Sequence, residues 1–192
     1  MSYLRGFAPW IVFSVVSSLG WQWGAAAALL ASVFPLVRAR RSGAGADAQI
    51  LDFGTVLYFA GLSLLAFLDP ASGIHSYASA LSSCWVALIA WTSLAVRRPF
   101  TLGIAKQHAE PSLWSTPRFL RVNTVLTTAW ATAFTCTAVA AFLCEAAGAG
   151  LFVRVCCQVV GFGAPAYFTH WYVGRARSRR DGRTAAPTAE TS

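Results

Sequence analysis

The sequence predicts an all-α protein: a polytopic transmembrane helical bundle of about six spans, with the N-terminus and the C-terminus both cytoplasmic. Three observations predict it. Of 192 residues, 56% are hydrophobic and only 11% are charged, against about 25% charged in an ordinary soluble domain. A chain so poor in charge cannot cover a water-facing surface. The apolar residues also gather into six stretches, and four of these reach the roughly 20 residues that a helix needs to cross a bilayer. Finally, the basic residues are sorted to one side. Of 15 Lys and Arg, all but Arg154 lie before the first stretch, after the second, around the loop after the fourth, or after the sixth. Positive loops stay in the cytoplasm, so the expected place is the inner (cytoplasmic) membrane, multi-pass. The net charge of +8 is read as contact with anionic headgroups of the lipid bilayer. It is not read as a nucleic-acid surface, because the basic residues do not interleave with aromatics on one face.

The stretches follow in order. The first, residues 7–20, is as short as the core of a signal peptide. Ser14, Ser17 and Ser18 interrupt it, however, and Pro9 suits a helix start, so it is expected to be retained. It turns through Trp21-Gln22-Trp23-Gly24 into the second stretch, residues 21–37, as a helical hairpin. The third covers 50–68, the fourth 78–96, the fifth about 122–148 and the sixth about 151–174. Pro165 cannot donate to the helix ladder and is expected to kink the last. Residues 1–174 thus form a single transmembrane domain. Residues 175–192, polar and basic, form an expected disordered cytoplasmic tail.

No P-loop, Rossmann glycine pattern, His-pair metal motif or G-x-S-x-G elbow occurs, so no cofactor and no metal is expected. The five cysteines are Cys84, Cys136, Cys144, Cys156 and Cys157. None forms C-x-x-C, and all fall in apolar segments, as small buried hydrophobes do. A disulfide from Cys144 to Cys156 or Cys157 on the outer side is left open.

Residues three or four apart share a helix face. In the third stretch Asp52, Thr55, Phe59, Ser63 and Ala66 form one stripe. Gly54 and Gly61 lie opposite, where a neighbouring helix can come close. In the fifth, Asn123, Thr127, Trp130, Phe134, Thr137 and Glu145 form another. The fourth carries Ser79, Ser82, Ser83 and Ser93, with Trp85 and Trp91 on other faces. Serine and threonine here commonly bond backbone or join helices. Asp52 can serve the free N–H groups of a helix start, Asp69 before Pro70 reads as a turn residue, and Glu145 can pair with Arg154. An acid inside a membrane is nonetheless expensive, which keeps Asp52 a functional candidate. The segment after the fourth stretch, Arg97-Arg98-Pro99-Phe100-Thr101 through His108 to Trp114 and Phe119, is expected in the headgroup layer. There, Arg97 and Arg98 can hold phosphate oxygens.

The layout resembles the intracellular septation protein A family of small inner-membrane proteins. The resemblance is carried by Pro9-Trp10-Ile11-Val12-Phe13, the Ala-rich second stretch ending in Arg38-Ala39-Arg40-Arg41, Arg98-Pro99, Trp114, Asn123 and Trp130. It covers most of the chain and implies a non-catalytic envelope protein that holds partners through helix contacts. In size and plan the chain also resembles the small bacterial membrane-bound terpene cyclases. That resemblance implies proton-initiated cyclisation of a lipophilic isoprenoid, a hydrophobic small-molecule partner.

Such a cyclase needs a carboxylic acid kept neutral by apolar surroundings and π-faces that stabilise a cation away from water. Eight Trp and 13 Phe supply the rings. Asp52 is the expected proton donor, with Glu145 or Asp69 as substitutes. Phe59, Trp85, Trp91, Asn123, Trp130, Arg97 and Arg98 would bind the substrate. The cyclase is the first expectation and the envelope protein the second. A small transporter is the third, although the two halves show no repeat. An oligomer formed through helix contacts is a further expected partnership.

Overall fold

The computed structural model describes residues 2–41, 46–107 and 109–184; among them all regular structure is helical and no strand occurs. Seven α-helices follow one another: α1 (Ser2–Val16), α2 (Trp21–Arg41), α3 (Ala46–Leu68), α4 (Ala78–Ala95), α5 (Phe100–Lys106), α6 (Pro117–Ala146) and α7 (Leu151–Thr184). Among the described residues, four segments are long and apolar enough to cross a membrane: Gln49–Leu68, Gly73–Ala95, Pro117–Ala146 and Leu151–Arg175. Ala8–Leu19 is apolar but shorter. Helix α2 has the length, at 21 residues, but its last turn carries Arg38, Arg40 and Arg41. Leu30, Phe34, Leu64, Phe152 and Val160 all face outward, an arrangement that suits lipid as the solvent.

Small residues set the packing order. Helix α1 packs on α2 and α2 on α3, while α4 packs on α6 and α6 on α7; α5 sits against both α3 and α6. Ala25 and Ala28 of α2 are fully buried against Phe59 and Leu62 of α3, with Phe13 and Tyr58 around them. A second apolar cluster joins Val86, Ala87 and Ala90 of α4 to Phe100 of α5 and to Trp130, Ala131 and Phe134 of α6. Trp10 packs against both clusters, so α1 ties the halves together. Interfaces built from Ala, Gly, Ser and Thr let helix backbones approach closely, which is how association is gained where lipid is already as apolar as Leu.

The turns explain the helix ends. Gly20, at φ 139°, lets the chain reverse between α1 and α2, a conformation that side chains resist. Helix α6 ends in a Schellman motif. Gly148 has φ 62°, its N–H donates to Glu145 O, and Ala149 N–H donates to Cys144 O. Helix α4 ends the same way: Arg97 N–H donates to Leu94 O and Arg98 N–H to Ser93 O. Here the left-handed position, φ 56°, is held by Arg97, where glycine is the usual occupant.

Several boundaries differ from the sequence expectation. Helix α6 starts five residues early, at Pro117, because Thr116 caps it through Phe119 N–H and proline suits the first turn. Pro9 lies inside α1 rather than at its start. Helix α3 begins at Ala46, before the expected residue 50. Helix α7 continues to Thr184, past the boundary drawn at 174, and residues 185–192 of the expected disordered tail lie outside the described residues. His108 does too.

Candidate functional site

Three places concentrate chemistry. The first is a polar knot where α4, α5 and α6 meet. Ser93 Oγ donates to Ala90 O and accepts from Phe100 N–H, at 2.7 and 3.2 Å. Thr101 Oγ1 donates to Asn123 O at 3.0 Å and lies 2.8 Å from Thr127 Oγ1. Asn123 Nδ2 donates to Phe119 O at 2.9 Å. Ser93, Thr101, Asn123 and Thr127 are all buried, and Asn123 Oδ1 has no partner. Arg97 and Arg98 form the exposed turn beside this knot. The expectation that this segment lies as a loop in the headgroup layer is corrected for Phe100. Residues 100–106 fold as α5, which carries Phe100 into the buried cluster that includes Ala90 and Trp130. Trp114 is exposed, under the Lys106 ammonium at 5.6 Å.

The second place is the set of rings. Phe59 packs against Trp10 and Phe13, with centroids 4.7 and 5.7 Å apart, and Tyr58 stands between Trp10 and Trp85, at 5.1 and 6.1 Å. Trp130 packs separately, on Phe134 and on Phe162 of α7, at 5.3 and 5.2 Å. The indole N–H groups are committed: Trp85 to Gly54 O at 2.8 Å, Trp91 to Thr135 Oγ1 at 3.2 Å, and Trp130 to Thr169 Oγ1 at 3.0 Å. Thus the predicted substrate-binding rings form two packed groups, while Trp91 lies at the exposed surface.

The third place is a groove of about 420 Å³ between α6 and α7. It is lined by Ala133, Cys136, Thr137, Ala140, Cys156, Cys157, Val160, Gly161 and Ala164. No carboxylate lines it. Cys157 of this lining has its Sγ 3.9 Å from Cys144 Sγ.

The three predicted acids are not brought together. Asp69 is exposed just past the end of α3. Glu145, near the end of α6, pairs with Arg154 at 2.5 Å. Asp52 is half-buried on α3. As the seventh residue of a helix that begins at Ala46, it is too far in to cap the start, where only the first four N–H groups are free. Its chain neighbour Leu51 packs on the Trp130 cluster, and the carbonyl of Gly54, two residues on, holds Trp85.

The interior stripes match their expected spacing. Thr55, Phe59, Ser63 and Ala66 are buried along α3, and Asn123, Thr127, Trp130, Phe134 and Thr137 along α6. Of the two glycines opposite Asp52, Gly54 packs against Ile89, whereas Gly61 meets nothing. Among the described residues, no three His, Cys, Asp or Glu side chains gather as metal ligands. Sequence reasoning missed the Ser93–Thr101–Thr127 knot. Its signal was the Ser93 and Thr101 pair flanking Arg97-Arg98-Pro99, hydroxyls set on either side of a proline turn. Compared with family models, with curated proteins and with solved structures, the chain finds no match.

Proposed function

We propose that this chain is a multi-pass protein of the cytoplasmic membrane, with six spans and both ends in the cytoplasm, that works without catalysis as an assembly element of the cell envelope. One observation carries the proposal. Trp85, Trp91 and Trp130 commit their indole N–H groups to neighbouring helices, and Phe59 and Phe134 are buried in the core, whereas α7 presents its apolar surface outward. Only 6% of the α7 span is buried, and Phe152, Val155 and Val159 are exposed along it. The resemblance to the septation family supports the same role. The six-span count adds α1 and α2 as a hairpin to the four long apolar helices. The basic residues of the connecting segments support the orientation.

The test uses the whole protein in its membrane, with a photo-crosslinking residue at position 155 or 159. The expected result is a discrete adduct with another membrane protein, lost when the crosslinker is moved to buried position 131. Adducts with lipid alone would overturn the proposal.

A cyclase is the second reading, favoured by Asp52, a half-buried carboxyl within α3, the helix that also carries Tyr58 and Phe59. Asp52→Asn keeps shape and removes the transferable proton. If the envelope proposal holds, membranes fed a prenylated substrate and its epoxide yield no cyclised product with either form. Product from the wild type that falls by about 10²–10⁴-fold in Asp52→Asn, the range of general acid catalysis, would replace the proposal with the cyclase.

A further inference from the structure

We propose that Cys144 and Cys157 are a thiol pair built to close as a disulfide across the α6–α7 hairpin, a modification site that staples α7 to the bundle. All five cysteines are free thiols, and these two, both half-buried, have their sulfurs 3.9 Å apart. A disulfide needs about 2.05 Å, and the remaining approach of about 2 Å is within the swing of two cysteine side chains turning about χ1.

The backbone is already held for closure. Ala149 N–H donates to Cys144 O at 2.8 Å, and Gly148 N–H to Glu145 O at 3.0 Å. Arg154 Nε donates to Ala149 O at 2.8 Å, and its guanidinium pairs with Glu145 at 2.5 Å. These bonds fix the two helix ends within about a turn of each thiol. Cys156 is adjacent in sequence, but a helix turns about 100° per residue, and Cys156 is exposed to the surroundings. The geometry therefore selects Cys157 over Cys156.

The oxidant is a disulfide. One thiolate attacks a sulfur of the oxidant, expelling the first leaving thiolate and forming a mixed disulfide; the second thiol then attacks that bond and expels the other. Two thiols of this chain are oxidised, one oxidant disulfide is reduced to two thiols, and the two protons pass to the leaving sulfurs. The inference rests on the proposed orientation, which places this hairpin outside, where disulfides persist.

The experiment treats the full-length protein in membranes with oxidised glutathione, then denatures it and counts thiols with a mass-tagged maleimide. Two of the five thiols are expected to vanish together, and a peptide map without reduction should contain Cys144 joined to Cys157. Cys156→Ser should behave like the wild type, whereas Cys157→Ser should keep Cys144 reactive. Five tags after oxidation, or a bridge through Cys156, would overturn the pairing. A separate arm labels Ala149→Cys in intact cells with an impermeant maleimide. Labelling only after the membrane is opened would overturn the orientation, while the peptide map judges the pairing independently.

Discussion

Gly161 of α7 lies directly against Thr137 of α6, and adding one methyl there tests the packing. A Cβ on residue 161 would overlap Thr137 Oγ1 and lie 2.9 Å from both Cβ and Cγ2 of Thr137, where carbon atoms prefer about 3.5–4.0 Å. Thr137 does not swing away freely, because its hydroxyl donates to Ala133 O at 2.8 Å. Helix α7 must therefore shift outward by on the order of 1 Å. Overpacking of this kind costs about 1–3 kcal/mol, roughly a 5- to 150-fold change in an equilibrium constant. Reversible unfolding of Gly161→Ala in mixed detergent micelles, followed by helical circular dichroism, should show this loss. Thr137→Ala in the same chain should restore part of it, since Oγ1 and Cγ2 leave but Cβ stays at 2.9 Å. A Gly161→Ala protein as stable as the parent, or a loss that Thr137→Ala leaves unchanged, would refute the contact between α6 and α7.

Trp130→Phe removes the bond to Thr169 Oγ1 but spares that hydroxyl's own bond to Pro165 O; the same unfolding assay should register about 0.6 kcal/mol, at most about 1.7, the range for interhelical hydrogen bonds in bilayers. Arg97→Gly relieves a left-handed residue at φ 56° and should stabilise the protein by roughly 1 kcal/mol, read as a higher unfolding midpoint. Glu145→Gln breaks an ion pair whose Arg154 side chain is 40% exposed, so stability should fall by less than about 1 kcal/mol, while the yield of the Cys144–Cys157 bridge should drop. Topology reporters after residues 41 and 106 should register cytoplasm, and those near residues 21, 73 and 149 the outside.

The helices of the interior were legible because their spacing is visible: Thr55, Phe59 and Ser63, or Asn123, Thr127, Trp130 and Phe134, repeat at three and four. Helix α5 was not. Its seven residues follow a basic, proline-marked turn, and nothing local says that Phe100 joins the buried cluster of Ala90 and Trp130. The Cys144 partner stayed ambiguous for a related reason, since Cys156 and Cys157 differ only in helical phase, which is fixed by how α7 rolls on α6. The same limit governed the acids. Each of Asp52, Asp69 and Glu145 has a defensible local role, and only the three-dimensional arrangement shows that they lie apart, one within α3, one past a helix end and one held by Arg154.

The indole of Trp21 donates to Pro70 O at 2.9 Å, across 49 residues of chain, and its ring lies 6.1 Å from that of His75. This joins the first hairpin to the connector between α3 and α4 and sets an order of events during synthesis. At about 5–20 residues per second, the ribosome needs roughly 2–10 s after Trp21 to supply the partner carbonyl. For that interval the latch of the first hairpin has no acceptor, and the bond can close only once Pro70 has been made. The clasp thus ties the start of α2 to a carbonyl that the ribosome supplies only after all of α3 has been made.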